Sequence, residues 1–302
     1  MRIVLAILIG LTLGCGPDGT SDAEKTIGVS LLTRAHVFYR DLEEGLRAGA
    51  AEHDYELLIT AAEWDAGRQI SQLEDFITRD VDAIILSPVD SSGVGAGIRA
   101  ANEAGIPVFT ADIASFGGEV VSHIASDNLA GGRLAGEYLV ELLGGKGKVA
   151  IINQPIVTST LDRVQGFREV VEAYPEIEIV ADVDGHGLRD RALLAASDVL
   201  QANPELDGIF AINDDSALGT LDAVEDFGRD GIVIIGYDAT PPARDAILKD
   251  RALKADVVQF PVEIGRMTVE TIASYFAGNE VPEVVPVRVG TVSYTHLTLP
   301  TS

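Results

Sequence analysis

Two stretches of the sequence follow one pattern: VDAIILSPVDSSGVGAGIRAANEAGIPVFTAD at residues 81–112 and LDGIFAINDDSALGTLDAVEDFGRDGIVIIGYD at residues 206–238. Each contains an apolar strand, an Asp-Ser turn, a helix, a glycine and a second apolar strand that ends on aspartate. Such strand–helix–strand units are typical of parallel sheets covered on both faces. Ligands bind at the carboxyl ends of the strands in these sheets. The repeat therefore places Asp112 and Asp238 at equivalent strand ends, and both point into one cleft if the two halves face each other.

The same alternation continues on both sides of the repeat and predicts an α/β fold. Helices are predicted at 39–53, at 67–79 and in a segment ending at Ala104. Strands separated by helices of this length form doubly wound parallel sheets, and two sets of them predict two lobes. The predicted strands lie at 26–32, 56–60, 82–86, 107–110, 149–152, 177–181, 208–212 and 232–236.

The N-terminus has the features of an export signal. The apolar run 3–13 follows Met1-Arg2 and is too short to span a bilayer as a helix. Gly14-Cys15 then resembles a lipobox, although Thr12 stands where leucine is usual. We expect residues 1–15 to be a signal peptide, Cys15 to be lipidated, and residues 16–25 to form a flexible tether. The expected product is an exported lipoprotein that faces the periplasm or cell exterior and touches the membrane through its anchor only. The alternative is an ordinary signal peptide with an incidental cysteine.

Composition excludes several classes of function. Asp and Glu outnumber Lys and Arg 47 to 22, for a net charge of −25, and such a field repels nucleic acid. A neutral or cationic small ligand fits this charge. The five histidines show no paired spacing, so no metal site is expected. The first strand lacks a following G-x-G-x-x-G motif, so no dinucleotide is expected, and we predict no cofactor.

Three motifs resemble those of the ribose- and galactose-type periplasmic sugar-binding proteins. They are GEVVSHIASD at 118–127, AINDDSALG at 211–219 and GYDATP at 236–241. The resemblance runs from Thr26 to about Val292 and implies the two-lobed type I fold, with an ABC-type importer as partner. It also implies a hinge of three chain crossings near Asp127, Gln259 and Val289. The lobes expected from it are 26–126 plus 260–288 and 127–259 plus 289–292, and residues 293–302 are a tail without a family counterpart.

The resemblance also implies a set of ligand-binding residues. The aromatic pair flanks the sugar ring, the carboxylates accept hydroxyl hydrogen bonds, and the arginine and amides donate. The implied residues are Phe38, Tyr39, Asp112, Arg163, Asn213, Tyr237, Asp238 and Gln259. The three residues after Asn213 are expected to cap the next helix.

Two departures from the ribose-binding pattern alter the expected pocket. Ile113 stands where that pattern has arginine, and Gly187 stands where it presents a phenylalanine from the second lobe. Arg34 and His36 are further candidates because they could replace the lost donors. The departures argue against ribose itself as the ligand.

The sequence thus predicts a monomeric solute-binding protein and not an enzyme. It captures a monosaccharide or similar polyol by lobe closure and delivers it to an ABC-type importer. Two alternatives stay open. A chemoreceptor or sensor-kinase partner would read the same closed form, and a glycosidase would use Asp112 and Asp238 as its carboxylate pair.

Overall fold

The computed structural model describes residues 25–293, which form two six-stranded sheets flanked by helices. The first part of the chain contains β1 (Thr26–Leu31), α1 (Val37–Glu52), β2 (Glu56–Ala61), α2 (Ala66–Thr78), β3 (Ala83–Leu86), α3 (Gly95–Glu103), β4 (Val108–Ala111) and β5 (Ser122–Ser126). The second part contains α4 (Asn128–Leu143), β6 (Lys146–Asn153), α5 (Thr158–Val171), β7 (Glu176–Asp184), α6 (Arg189–Ala202), β8 (Gly208–Ala211), α7 (Asp214–Asp226), β9 (Val233–Asp238), α8 (Pro241–Leu248) and β10 (Leu253–Val258). The described chain ends with α9 (Pro261–Phe276), β11 (Val284–Val287) and β12 (Gly290–Ser293).

The two sheets have the same strand order. The first lobe is built on β11-β5-β4-β3-β1-β2 and the second on β12-β10-β9-β8-β6-β7. The strand pairs are parallel, except that β12 runs antiparallel to β10. The predicted α/β class with two parallel-sheet lobes is confirmed. The chain passes from one sheet to the other three times, after β5, after β10 and after β11.

Four strands escaped prediction: β5, β10, β11 and β12. Their polar or short sequences explain this, since β5 reads SHIAS and β10 places the buried Asp256 between apolar residues. By contrast β3 and β8, which the pattern did predict, are buried along their whole length. Continuous apolar runs are identified more readily than short strands or strands that carry buried polar residues.

Close packing of α4 on α5 fixes the position of the predicted arginine. A Cβ atom on Gly132 of α4 would lie 2.0 Å from the carbonyl oxygen of Arg163, and one on Gly166 of α5 would lie 2.1 Å from that of Leu129. Any larger residue at either glycine would push the helices apart. These two positions therefore hold the backbone of α5 against the hinge-side end of α4.

Several predicted segments lie outside the described residues. These are the signal peptide at 1–15 with Cys15, the tether up to residue 24, and the tail beyond Ser293. Ser293 itself, which was assigned to the tail, is the last residue of β12. Among residues 25–293, no helix combines the length and apolar character that crossing a membrane requires.

Candidate ligand-binding site

A cavity lies between the lobes, and side chains from both of them line it. Its walls combine apolar and aromatic side chains with nine polar or charged ones. The lining residues are Leu32, His36, Phe38, Tyr39, Trp64, Asp112, Ile113, Gln154, Val157, Ser159, Thr160, Arg163, Asn213, Asp238 and Gln259.

The two repeat aspartates meet in this cavity. Asp112 follows β4 and Asp238 ends β9, and these strands hold the same place in the two sheet orders. Both residues have left-handed backbone angles, with φ of 71° and 115°. Non-glycine residues adopt such angles at a cost and are concentrated at functional sites. The chain therefore turns sharply at both strand ends, where the carboxylates enter the cavity.

Asp112 is buried, and only one of its two carboxylate oxygens has a hydrogen-bond partner among the described residues. The Tyr39 hydroxyl donates to Oδ2 at 2.7 Å, while Oδ1 has no hydrogen-bond partner among the described residues. Burial raises the pKa of Asp112 to about 6, although nearby Arg163 and the Tyr39 hydrogen bond act in the opposite direction. A ligand that donates a hydrogen bond to Oδ1 would satisfy this buried acceptor.

Arg163 is held rigidly on the second-lobe side. Its Nε donates to Asn128 Oδ1 at 2.8 Å and its Nη1 to the carbonyl oxygen of Ile212 at 2.7 Å. The guanidinium also lies over the Tyr237 ring, 3.9 Å from its centroid. Nη1 is 3.8 Å from Asp238 Oδ1, so the two opposite charges face each other in the cavity. Preorganised in this way, the arginine loses little side-chain entropy when it contacts a ligand.

Asp238 is surrounded by donors from both lobes. Gln259 Nε2 donates to Oδ1 at 2.6 Å, and His36 Nε2 lies 3.6 Å from Oδ2 across the cleft. His36 also caps α1, because its Nδ1 accepts from the Phe38 backbone N–H at 3.1 Å. In the neutral ring the proton therefore sits on Nε2, directed toward Asp238. The amide oxygen of Gln259, Oε1, is buried and lacks a partner among the described residues.

The chain was compared with known proteins. Residues 27–280 match the family model described as periplasmic binding protein domain. The chain belongs to the periplasmic binding protein family. This places it among extracytoplasmic solute-binding proteins, which are not enzymes, and the glycosidase alternative for Asp112 and Asp238 is therefore wrong.

Relatives of this periplasmic binding protein align with it over nearly its whole length. The ribose import binding protein RbsB of Escherichia coli is 31% identical over 288 residues, covering 95% of this chain and 97% of the relative. An ABC transporter solute-binding protein from Mycobacterium smegmatis, solved with bound glycerol, is 33% identical with a TM-score of 0.85, covering 90% of this chain and 95% of that one. One from Actinobacillus succinogenes with bound D-allose is 27% identical with a TM-score of 0.82, covering 90% and 99%.

Two predicted ligand contacts of this binding protein do not lie in the cavity wall. Tyr237 is fully buried behind Arg163, with its hydroxyl 3.3 Å from Asn128 Oδ1. Side chains alternate along β9, so Tyr237 faces α4 while Asp238 reaches the cavity. Arg34 turns away to Glu43, with 2.8 Å between Nε and Oε2. The predictions that Tyr237 and Arg34 contact the ligand are therefore wrong. The Tyr237 side chain instead supports Arg163.

The capping prediction for α7 is also wrong. Asn213 is the N-cap, since its Oδ1 accepts from the Ser216 N–H at 2.9 Å, while its Nδ2 donates to the carbonyl oxygen of Gly187 at 3.1 Å. Asp214 is instead buried in the first turn and accepts from the Thr240 N–H at 2.6 Å. Asn213 thus combines a capping role with a place in the cavity wall.

Sequence reasoning missed several lining residues: Leu32, Trp64, Gln154, Val157, Ser159 and Thr160. Gln154 directly follows β6, and this position at a strand end is a signal that could have identified it. It also fills the space that Gly187 leaves, because a Cβ on Gly187 would lie 2.3 Å from Gln154 Oε1. The missing aromatic side chain at 187 is therefore replaced by a polar amide.

A second pair of carboxyl groups is buried behind Asp238. Asp214 and Asp256 are each about 1% exposed, and each carboxyl group affects the pKa of the other. Burial raises the pKa of Asp214 to about 7. Burial and the neighbouring Asp214 charge raise the pKa of Asp256 well above its ordinary value. Within residues 25–293, no three His, Cys, Asp or Glu side chains are grouped to hold a metal ion.

Proposed function

We propose that this protein captures a neutral monosaccharide or similar polyol and delivers it to an ABC-type importer. The observation that carries this proposal is the pair of buried, unsatisfied acceptors in the cavity, Asp112 Oδ1 and Gln259 Oε1. A buried acceptor without a partner costs about 1–3 kcal/mol, and a ligand hydroxyl removes that cost. The aromatic and aliphatic side chains beside them suit the C–H faces of a sugar.

The relatives support the same class of ligand. The E. coli relative imports ribose by its name, and the two solved relatives hold glycerol and D-allose. All three compounds are neutral and carry a hydroxyl on most of their carbons. Since Ile113 and Gly187 depart from the ribose-binding pattern, we propose a polyhydroxylated ligand other than ribose.

Capture by lobe closure is supported by hydrogen bonds that join the lobes beside the cavity. The Ala114 N–H donates to Thr158 Oγ1 at 2.8 Å, and the Thr158 N–H donates to Ser91 Oγ at 3.1 Å. Residues 26–126 plus 260–288 would move as one lobe and 127–259 plus 289–292 as the other. A ligand stabilises the closed form only if it binds that form better than the open one, and a cavity walled by both lobes meets this condition.

A thermal-shift screen tests the proposal. Pentoses, hexoses, deoxysugars and polyols are added separately, and the sugar that binds the folded protein raises its melting temperature. The matched control is Asp112→Asn, which keeps the shape of the site but removes the carboxylate. We expect a shift for at least one compound in the wild type and a smaller shift in the variant. If no sugar or polyol shifts the melting temperature, the proposed ligand class is wrong.

We also propose that Cys15 carries a lipid anchor. The proposal is supported by the apolar segment and Gly14-Cys15 in the sequence. Two or three acyl chains on one cysteine would hold the protein firmly on the membrane. In membrane fractionation, wild type should sediment with the membrane and Cys15→Ser should be soluble. Equal sedimentation of the two proteins would contradict lipidation at this residue.

A further inference from the structure

The two carboxylate oxygens of Asp112 have different hydrogen-bond partners in the cavity. The Tyr39 hydroxyl donates to Oδ2, and Oδ1 is the oxygen without a hydrogen-bond partner among the described residues. Burial and the Asp112 charge raise the pKa of Tyr39 well above its ordinary value, so the phenol stays protonated as the donor in this bond. A carboxylate with both oxygens free can accept from two neighbouring hydroxyls of a sugar. In Asp112 only Oδ1 is free, and any ligand bond to Oδ2 must be shared with the Tyr39 hydroxyl.

The side chain next to Asp112 offers no replacement acceptor. Ile113 is 2% exposed and lines the same cavity. A ligand hydroxyl placed against it would lose its water without gaining a hydrogen bond, whereas a C–H or methyl group there would be buried favourably. The phenolic oxygen of Tyr39 can still accept a hydrogen bond, but a neutral oxygen is a weaker acceptor than a carboxylate.

We propose that Tyr39 and Ile113 make the site selective for deoxy sugars. The ligand would present one hydroxyl to Asp112 Oδ1 and a carbon without a hydroxyl to Ile113. This inference rests on the proposed sugar-binding function and narrows it. Tyr39 is then a specificity-determining residue through its hydroxyl, which closes one oxygen of Asp112, besides being part of the aromatic wall.

Matched sugar pairs that differ by one hydroxyl test the inference. The probes are L-fucose with L-galactose, L-rhamnose with L-mannose, and 2-deoxy-D-ribose with D-ribose, each titrated by calorimetry. For the pair that fits the cavity, the wild type should bind the deoxy member about ten-fold more tightly. This is the affinity that the hydroxylated member is expected to lose through one unsatisfied hydroxyl. Tyr39→Phe frees Oδ2, and the ratio of the two dissociation constants should move about ten-fold toward the hydroxylated sugar.

Two further variants keep the test decisive. Tyr275→Phe removes the same atom from a half-exposed ring on α9 that is not in the cavity wall, and it should leave the ratio unchanged. Ile113→Thr adds a hydroxyl beside Asp112 and should move the ratio in the same direction as Tyr39→Phe. The Ile113→Thr variant also tests the inference if the Tyr39→Phe variant does not fold.

The outcomes separate this inference from the proposed function. If sugars bind but the hydroxylated member is preferred in wild type, the inference is overturned. It is also overturned if the folded variants at Tyr39 and Ile113 leave the ratio unchanged, while the proposed function stands. If no sugar or polyol binds at all, both fall together.

Discussion

Asp112 in the first lobe and Asp238 in the second occupy the same place in two copies of one fold, but their surroundings differ. The Asp112 carboxylate accepts a single hydrogen bond, from Tyr39, and has one oxygen without a partner among the described residues. Asp238 faces Gln259, His36 and Arg163, which come from both lobes. Equivalent topology therefore fixes where a carboxylate enters the cleft, while the neighbouring side chains decide its chemistry. Asp112 is suited to receive a ligand, and Asp238 to join the lobes around it.

The largest effect should come from removing the charge of Asp238. In Asp238→Asn, Arg163 and His36 lose the carboxylate that faces them, and the ligand loses an acceptor, so affinity should fall about 100-fold. Asp112→Asn keeps an oxygen for Tyr39 and should lower affinity about ten-fold. Calorimetry with a sugar identified by the thermal-shift screen measures both. Equal losses at the two positions would contradict the division of roles.

Asp112→Asn should also change stability with pH. The pKa of Asp112 is raised from its unfolded value, near 4, to about 6, so its ionisation destabilises the folded state as pH rises through this window. The variant should therefore be more stable than wild type at pH 7, by up to about 3 kcal/mol, and equal to it near pH 4. Urea unfolding without ligand at the two pH values tests this. A variant less stable than wild type at pH 7 would show that the charge of Asp112 is well compensated.

A smaller effect is expected behind Asp238. Asp214 and Asp256 both have raised pKa values, so the protonated form of this pair stabilises the second lobe, and that stabilisation is lost as pH rises through about 7. Asp256→Asn replaces the proton with an amide N–H and should stabilise the protein at pH 9 by about 1 kcal/mol or more. Melting curves from pH 5 to pH 9 should converge at the acid end. Parallel curves over the whole range would contradict raised pKa values at this pair.

The smallest effect should be that of Tyr237→Phe. The lost hydroxyl makes one hydrogen bond, to Asn128 at 3.3 Å, and does not line the cavity. Because the ring remains under Arg163, affinity should change less than about three-fold, within the range of one weak neutral hydrogen bond. Calorimetry with the same sugar is again the measurement. A loss above ten-fold would mean that the hydroxyl contacts the ligand after all.

Sequence predicted the parts of this molecule that follow from chain periodicity. The repeat located both lobes, and its terminal aspartates meet in the cavity, because strand ends in parallel sheets converge by topology. It could not predict side-chain direction, so Tyr237 was placed in the cavity when it faces α4. Short strands with polar residues such as β5 carry too few apolar residues to show a period. The Tyr39–Asp112 bond joins residues 73 positions apart in the chain, and no local pattern indicates it.

The three passages between the sheets also set the order in which the protein can fold as it emerges from a translocation channel. The second lobe draws all its elements except β12 from the continuous stretch 128–258. The first lobe needs α9 and β11, and α9 packs so closely on α1 that a Cβ on Gly45 would lie 2.1 Å from the carbonyl oxygen of Val262. Until residue 287 has emerged, the apolar face of α1 and the outer edge of β5 lack their partners. The lobe that is synthesised first is therefore completed last, and its apolar surfaces stay uncovered for longer than those of the second lobe.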